Sequence, residues 1–418
     1  MATATITSRS ILNQIRSRIL MSGPIPVADY MRLALAQTPH VSKNSSKGTE
    51  SNTNEQGYYM KQDVFGQAGD FITSPEITQM FGELIGVWGI QCWKQLRGPS
   101  KFNIVELGPG RGTLSKDMLK VFNRFQPVIG NDVSLNLVEI SPFLSQKQYE
   151  VICSSDVLKQ GENKVTPPPN SYKHGISKDY DFPVSWYKDI RDVPKEFSFY
   201  VAHEFFDALP VHKLQKVDEG WREVLVDVKP DDEDGFRFVI SRHETPMLNV
   251  LRTRYPRLFE TSRNHLEISM DALLVLEELT TRLEECGGIA VIIDYGHDGT
   301  KEDTFRAFRK HQLHDPLKDP GSADITADVD FSIIKEIFSD KALICGPVSQ
   351  QTFLSRVGID LRLDNLLNAA KTEVEKDQLQ SGYKMIMDDM GTRFHFISLF
   401  PKVLEKYLGR LKFAGFHE

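Results

Sequence analysis

The stretch that decides the fold is residues 102–125, FNIVELGPGRGTLSKDMLKVFNRF. Its first part, residues 102–107, is short, apolar and β-prone; glycines follow it, and residues 114–125 have the pattern of a helix. Strand, tight turn and helix in this order are typical of a nucleotide-binding unit. We therefore interpret this stretch as one strand and one helix of an open α/β sheet.

Further apolar runs follow along the chain, mostly separated by helical or loop segments: residues 135–140, 150–153, 197–202, 289–293 and, as a last strand, 393–400. Buried parallel strands have such near-continuous apolar runs without alternation. Five or more of them with intervening helices predict a doubly wound, Rossmann-like α/β sheet. Two runs that flank an acidic turn, residues 221–228 and 236–241, predict a hairpin.

The length of 418 residues allows two or three domains, or one elaborated domain. We predict a helical cap at residues 11–98 and a sheet domain at residues 99–418, with inserted β/α elements around residues 211–287. Two polar stretches, residues 43–57 and 161–177, are expected to be surface loops or insertions.

Charge, cysteine spacing and hydropathy exclude several classes of protein. A net charge of −7 provides no basic surface for a nucleic-acid backbone, so no nucleic-acid partner is expected. The four cysteines, at positions 92, 153, 286 and 345, show neither a CxxC pair nor zinc-ligand spacing, so reduced thiols and no metal site are expected. The absence of an apolar run of about eighteen residues predicts no membrane span.

The first 28 residues contain no acidic side chain, while Arg9, Arg16 and Arg18 are spread among small and aliphatic residues. This pattern is typical of a mitochondrial presequence, although an ordinary basic first helix has the same composition. We assign the presequence to residues 1–10.

The glycine spacing indicates which nucleotide the first strand would bind. Gly108, Gly110 and Gly112 form GxGxG, whereas a dinucleotide site has its third glycine at the position of Thr113. No GK[ST] follows, which excludes a P-loop. Glu106 at the strand end would repel a pyrophosphate but would attract the ammonium of S-adenosylmethionine. The loop therefore favours S-adenosylmethionine over NAD.

A lone GxGxG is also compatible with a purely structural turn, but Glu139 at the end of the next strand strengthens the functional interpretation. A carboxylate there can accept both hydroxyl hydrogens of a ribose. Asp156 could contact the adenine amine, or could simply cap a turn or helix.

A third group of polar residues follows the run at residues 197–202: His203, Glu204 and Asp207. Methyl transfer requires the acceptor to be held in line with the methyl carbon, so positioning supplies much of the catalysis. A pair of carboxylates suits a guanidinium, which has five fixed donors and a pKa above about 12. The alternative is that Glu204 and Asp207 cap a helix and His203 lies in a polar pocket.

With these residues identified, the sequence closely resembles the MidA-type methyltransferases over about residues 11–367. The resemblance depends on six strings: residues 69–76 (GDFITSPE), 106–114 (ELGPGRGTL), 203–210 (HEFFDALP), 294–297 (DYGH), 303–306 (DTFR) and 324–331 (DITADVDF). It implies a class I methyltransferase fold and S-adenosylmethionine as cofactor.

The resemblance also implies ω-N methylation of a protein arginine, in the symmetric dimethyl form, on a core subunit of respiratory complex I during its assembly in the mitochondrial matrix. It implies that Asp70, Thr73, Ser74 and Glu76 cover the cofactor, although Ser74 followed by Pro75 is also a common helix start. Bacterial members usually have Asn at the position of His203, which argues against a general-base role for this imidazole.

Two other functions stay open at this stage. A small-molecule methyltransferase would have a closed, narrow acceptor pocket, and a non-catalytic assembly chaperone would bind the cofactor without transferring its methyl group. The target arginine and the oligomeric state are left open.

Overall fold

The computed structural model describes residues 2–36, 57–61, 72–153, 167–232, 234–407 and 412–417. Most of the two predicted polar insertions, namely residues 43–56 and 161–166, lies outside the described residues, as do Asp70 and Asp156.

Helices are distributed along all the longer described stretches: α1 (Ala2–Ser22), α2 (Val27–Ala36), α3 (Tyr58–Lys61), α4 (Ser74–Ile77), α5 (Gln79–Gln95), α6 (Thr113–Ile129), α7 (Pro142–Ile152), α8 (Pro246–Arg254), α9 (Met270–Cys286), α10 (Phe331–Phe338), α11 (Gln350–Val357), α12 (Ile359–Ala369) and α13 (Glu373–Lys384). No helix among the described residues is both long enough and apolar enough to cross a membrane.

Strands alternate with these helices: β1 (Ile25–Pro26), β2 (Phe102–Leu107), β3 (Val133–Val138), β4 (Lys173–Ile176), β5 (Pro183–Tyr187), β6 (Ser198–His203), β7 (His212–Val217), β8 (Gly220–Val228), β9 (Phe236–Ile240), β10 (His265–Ile268), β11 (Gly288–His297), β12 (Arg306–Arg309), β13 (Gln312–His314), β14 (Asp324–Thr326), β15 (Val329–Asp330), β16 (Ala342–Ser349) and β17 (Phe394–Pro401).

The chain packs into two units. The sheet unit comprises Ile72–Phe206, Leu274–Asp298 and Ile337–Glu418, and the hairpin unit comprises Met1–Phe71, Asp207–Leu273 and Gly299–Glu336. This division differs from the predicted bounds, because packing assigns residues 72–98 to the sheet unit. The second stretch of the hairpin unit overlaps the segment predicted as an insertion at residues 211–287.

The sheet unit contains the predicted doubly wound sheet. Its strand order is β16-β17-β11-β6-β2-β3-β5-β4. The central strands β11, β6, β2, β3 and β5 are parallel, while β17 pairs antiparallel with β11. The chain runs outward from β2 through β3 in one direction and from β6 through β11 in the other. The point between β2 and β6 is therefore the topological switch point, where such sheets bind their ligands.

One strand prediction and part of one loop prediction are wrong. Residues 150–152 form the last turn of α7, which Ser141 caps by accepting a hydrogen bond from the Leu144 backbone and which has Pro142 in its first turn. The strand beside β3 is β5 instead. Part of the stretch predicted as a loop at residues 161–177 is also a strand, because Lys173–Ile176 pair antiparallel with β5.

The hairpin unit is built on a small antiparallel sheet of order β1-β8-β7-β10, with β9 paired to β8. Strands β8 and β9 confirm the predicted hairpin, with Val224 opposite Ile240. Helix α1 includes residues 2–10 of the predicted presequence, and its Ile11, Ile15 and Ile19 are buried in the core of this unit. Their spacing of four residues puts them on one helix face.

Helix α5 packs so closely on the sheet that a single methyl group would disturb it. A Cβ added at Gly89 would lie 2.5 Å from Cε1 of the buried Phe199 on β6. Gly89→Ala should therefore lower the free energy of unfolding by about 1–3 kcal/mol, because overpacking outweighs the better helix propensity of alanine. Urea denaturation measures this change. Adding Phe199→Leu, which shortens the opposing side chain, should recover part of the loss, and an alanine variant as stable as the parent would contradict the packing.

Candidate active site

The predicted site residues at three strand ends lie along one edge of the sheet. β2 pairs in parallel with β3 on one side and with β6 on the other, with Leu107 opposite both Val138 and Ala202. The next residues along these strands are Gly108, Glu139 and His203. The structure thus brings together the glycine loop, the first two predicted carboxylates, and His203 and Glu204 at the end of β6.

The glycine loop has a backbone that only glycine adopts easily. Gly108, Gly110 and Gly112 have φ of 64°, 52° and 86°. A Cβ at Gly108 would lie 2.8 Å from Cδ2 of Phe205, in the segment after β6. The loop therefore combines left-handed conformations with close approach to neighbouring atoms, the two reasons for requiring glycine.

Glu106 is buried at the end of β2 and accepts a hydrogen bond from the Ser115 hydroxyl at the start of α6. Burial raises the pKa of Glu106 to about 7, and the Ser115 hydrogen bond opposes part of this rise. A cation on a ligand would stabilise the charged form of this buried carboxyl group and lower its pKa again.

Glu139 is also buried, and both of its oxygens are held by the protein. Oε1 accepts from the Ser141 backbone N–H at 2.7 Å and Oε2 accepts from the Gln148 amide at 2.9 Å. Burial raises the pKa of Glu139 to about 7, although both hydrogen bonds lower it. Each carboxylate oxygen has two lone pairs, so Glu139 keeps acceptor capacity for hydroxyl hydrogens.

His203 and Glu204 form a second pair of neighbours at the end of β6. Nε2 of His203 lies 3.4 Å from Oε1 of Glu204, and the imidazole packs against the rings of Phe81 and Phe394. Burial lowers the pKa of His203 to about 3. The imidazole is therefore neutral at physiological pH and a weak base, which agrees with the doubt about a general-base role.

Glu204 has an unusual backbone. Its φ is 49°, a left-handed value that a residue with a long side chain rarely adopts, and its N–H donates to the Ile293 carbonyl at 3.0 Å. Such conformations cost about 1–3 kcal/mol and concentrate at functional sites.

Sequence reasoning missed the role of Asp294 at the end of the parallel part of β11. This fully buried carboxylate accepts from the Phe206 backbone N–H at 3.1 Å and from the Tyr295 backbone N–H at 3.0 Å. It ties the segment after β6 to β11. Its position in the string DYGH was visible, but no spacing rule links it to Phe206.

Helix α4, in the segment predicted to cover the cofactor, contacts the glycine loop and the start of α6 through Glu76. Its carboxylate accepts from the Thr113 hydroxyl and from Arg111 Nη1, 3.3 Å away, so α4 is fastened to the glycine loop. Thr73 and Ser74 are buried at the N-terminus of α4, where the Ser74 hydroxyl donates to the Met390 sulfur at 3.6 Å. Ser74 and Pro75 begin a helix, as one of the two expectations has it, and a cover over the cofactor stays a prediction.

Asp207 belongs to the hairpin unit and is held there by β14. Its Oδ2 accepts from the Thr326 hydroxyl at 2.9 Å, and its backbone carbonyl accepts from the Ala327 N–H at 3.3 Å. Beside Thr326 on the same strand, Asp324 accepts from the Tyr59 hydroxyl at 2.5 Å. Sequence reasoning did not link Thr326 to Asp207, or Tyr59 to Asp324.

The two carboxylates at the sheet edge suit S-adenosylmethionine. Glu106 and Glu139 are buried and have no salt bridge to a cationic side chain in the part of the chain that the structure describes. An ammonium at Glu106 and ribose hydroxyls at Glu139 would satisfy these carboxylates, and Gly108, Gly110 and Gly112 have no side chains to block a ligand there. No group of three or more metal-ligating side chains occurs among the described residues.

Comparison with known proteins assigns the class. Residues 84–347 match the family of S-adenosyl-L-methionine-dependent methyltransferases, and the chain belongs to this family. This confirms the predicted class of enzyme and its cofactor.

The chain is 46% identical to the Drosophila melanogaster protein arginine methyltransferase NDUFAF7 homolog, mitochondrial, over 97% of this chain and 88% of that protein. It is 44% identical to the Homo sapiens protein arginine methyltransferase NDUFAF7, mitochondrial, over 94% and 83%. The crystal structure of a COG1565 superfamily member from Burkholderia thailandensis with bound S-adenosyl-homocysteine is similar over 96% of this chain and 94% of that chain, with a TM-score of 0.70 and 21% identity. This last similarity confirms the fold.

The raised carboxyl pKa values predict that cofactor-product binding depends on pH. A cation beside Glu106 favours the carboxylate, so binding must release a proton from the fraction that is protonated near pH 7. The affinity for S-adenosylhomocysteine should therefore rise between about pH 6 and about pH 7.5, by up to about tenfold per pH unit for each such group.

Calorimetry in two buffers of different ionisation enthalpy measures the released proton directly. Glu106→Gln should bind more weakly and release fewer protons. Proton release that is unchanged in this variant would assign the effect to another group.

Proposed function

We propose that this chain is a protein-arginine ω-N-methyltransferase of the mitochondrial matrix. Its substrate would be a core subunit of respiratory complex I, methylated to the symmetric dimethyl form to support assembly of the complex. Support for the arginine substrate and for the mitochondrion comes from the names of the curated relatives. Support for the finer points comes from the resemblance of the sequence.

The proposal depends mainly on the position of Glu204, which directly follows β6 at the sheet edge that also holds the glycine loop. Its side chain is 16% exposed, which suits a carboxylate that meets a ligand while being largely shielded from water. A guanidinium presents donors in a planar fork that matches a carboxylate. We assign to Glu204 the orientation of the acceptor nitrogen.

S-adenosylmethionine supplies a methyl group on a sulfonium. The protein's contribution is to seat the cofactor with Glu106, Glu139 and the glycine loop, which we assign to Gly108, Gly110 and Gly112. Thr73 and Ser74 at the start of α4 are proposed as part of the cover over the cofactor. None of these binding roles requires a metal.

For the acceptor, Glu204 would hold one guanidinium nitrogen in line with the methyl carbon. It would also take the proton that this nitrogen loses as the N–C bond forms. Neutral His203, whose Nε2 lies 3.4 Å from Oε1 of Glu204, would line the site beside the carboxylate without taking the proton itself. We propose Asp207, three residues further along the chain, as the second carboxylate for the guanidinium. Positioning of this kind is the main source of rate enhancement in a direct displacement.

Glu204→Gln should reduce kcat by about 100-fold or more while the affinity for S-adenosylhomocysteine stays within about twofold. The amide keeps the shape but loses the charge and the proton acceptor. Glu373→Gln, at an exposed glutamate of the same unit, is the matched control and should leave both quantities unchanged. Equal loss of turnover and of product affinity in Glu204→Gln would instead indicate a structural role.

The substrate is tested by mass spectrometry of arginine methylation on mitochondrial proteins from cells with the chain, without it, and with Glu204→Gln. We expect a methylated arginine on a complex I core subunit that disappears without the chain and is not restored by Glu204→Gln. Restoration of complex I by Glu204→Gln without methylation would favour a non-catalytic chaperone. Methylation confined to small molecules would favour the other alternative.

A further inference from the structure

Gln148 on α7 links elements of the sheet unit that sequence reasoning treated separately. The residue is fully buried. Its Nε2 donates to the Gly110 carbonyl at 2.7 Å and to Glu139 Oε2 at 2.9 Å, and its Oε1 accepts from the Trp186 indole N–H at 2.9 Å. A single side chain thus contacts the glycine loop, the carboxylate after β3 and a ring on β5.

The Trp186 contact fixes which way the amide faces. An indole N–H can only donate, so the atom beside it must be the amide oxygen. Both hydrogens of Nε2 then face the two acceptors, and all the hydrogen bonds of the NH₂ group are used. Reversing the amide would put donor against donor at Trp186 and acceptor against acceptor at Glu139, which is costly in a buried site.

The two acceptors of the Gln148 amide come from different strand connections. Gly110 lies in the loop after β2, and Glu139 follows β3. Glu139 is held from its other side by the Ser141 N–H at the N-terminus of α7. Helix α7 therefore fixes both the rotation of the Glu139 carboxylate and its distance from the loop.

We propose that Gln148 is a positioning residue for the nucleoside, which orients Glu139 toward vicinal hydroxyls and sets the spacing between Glu139 and the glycine loop. The inference rests on the proposed role of Glu139 as the ribose acceptor. It assigns to Gln148 part of the selectivity for a ribonucleoside over a nucleoside without these hydroxyls. Gln148 itself is not a catalytic residue, because it acts through Glu139 and Gly110.

The test compares S-adenosylhomocysteine with its 2′,3′-dideoxy analogue by calorimetry on the full chain. The parent should prefer the hydroxylated ligand. Gln148→Glu keeps the size of the side chain and an acceptor for Trp186, but replaces the donors with an acceptor next to Glu139. We expect its affinity for S-adenosylhomocysteine to fall about tenfold or more, with little change for the dideoxy analogue, so that most of the preference is lost.

Gln146→Glu, at an exposed glutamine two residues earlier on the same helix, should keep the parent's preference. Trp186→Phe removes the N–H that orients the amide without touching Gln148, and it should reduce the preference in the same direction. This second variant keeps the inference testable if Gln148→Glu does not fold.

A parallel loss of affinity for both ligands, or an unchanged preference in the folded variants, would overturn the inference. All of these measurements record binding without turnover, so they stand apart from the arginine proposal. A chain without arginine methyltransferase activity would leave the expected preference intact, and loss of the preference would not affect the assignment of Glu204.

Discussion

The candidate site depends on the parallel pairing of β2 with both β3 and β6. Because parallel strands end at the same edge, this pairing alone gathers the residues that follow each strand, although they are separated by long stretches of chain. The register puts Leu107 level with Val138 and with Ala202. A shift of one residue would turn Glu106 to the other face of the sheet. The packing of the buried apolar strands fixes their register, and the register fixes where the polar residues at the strand ends lie.

The sequence was sufficient to place polar residues at the ends of buried strands. Glu106 and His203 belong to the last residues of β2 and β6, and Glu139 directly follows β3, so each could be located from the end of an apolar run. The errors arose where a local pattern was ambiguous: residues 150–152 are apolar enough for a strand, but the Ser141 cap and Pro142 begin a helix that includes them. Sequence reasoning missed Gln148 and Asp294 for a different reason. Their key partners lie on other elements that are distant along the chain, namely Gly110, Glu139 and Trp186 for Gln148 and Phe206 for Asp294, and such contacts produce no recognisable spacing.

Burial makes the charged forms of two carboxyl groups costly as long as no ligand compensates them. Glu106 and Glu139 are carboxyl groups in a low-dielectric environment, where an uncompensated negative charge is expensive. Each is held by hydrogen bonds from neighbouring residues, yet these do not cancel the effect of burial on the pKa. A bound ammonium at Glu106 or a pair of hydroxyls at Glu139 would add to the stabilisation that these hydrogen bonds give the carboxylates. Burial also lowers the pKa of His203, because it disfavours the charged imidazolium in the same way.

The left-handed backbone at Glu204 costs stability at this edge of the sheet. A left-handed φ is easily adopted by glycine, yet the chain has a glutamate there, at the end of a well-packed strand. The surrounding contacts maintain this conformation: the Glu204 N–H donates to Ile293, and Asp294 holds the Phe206 N–H two residues later. A residue whose backbone is held on both sides presents its carboxylate from a fixed point of the chain. Such restriction is what an acceptor-positioning group requires, because rotational freedom lost in advance does not have to be lost during the reaction.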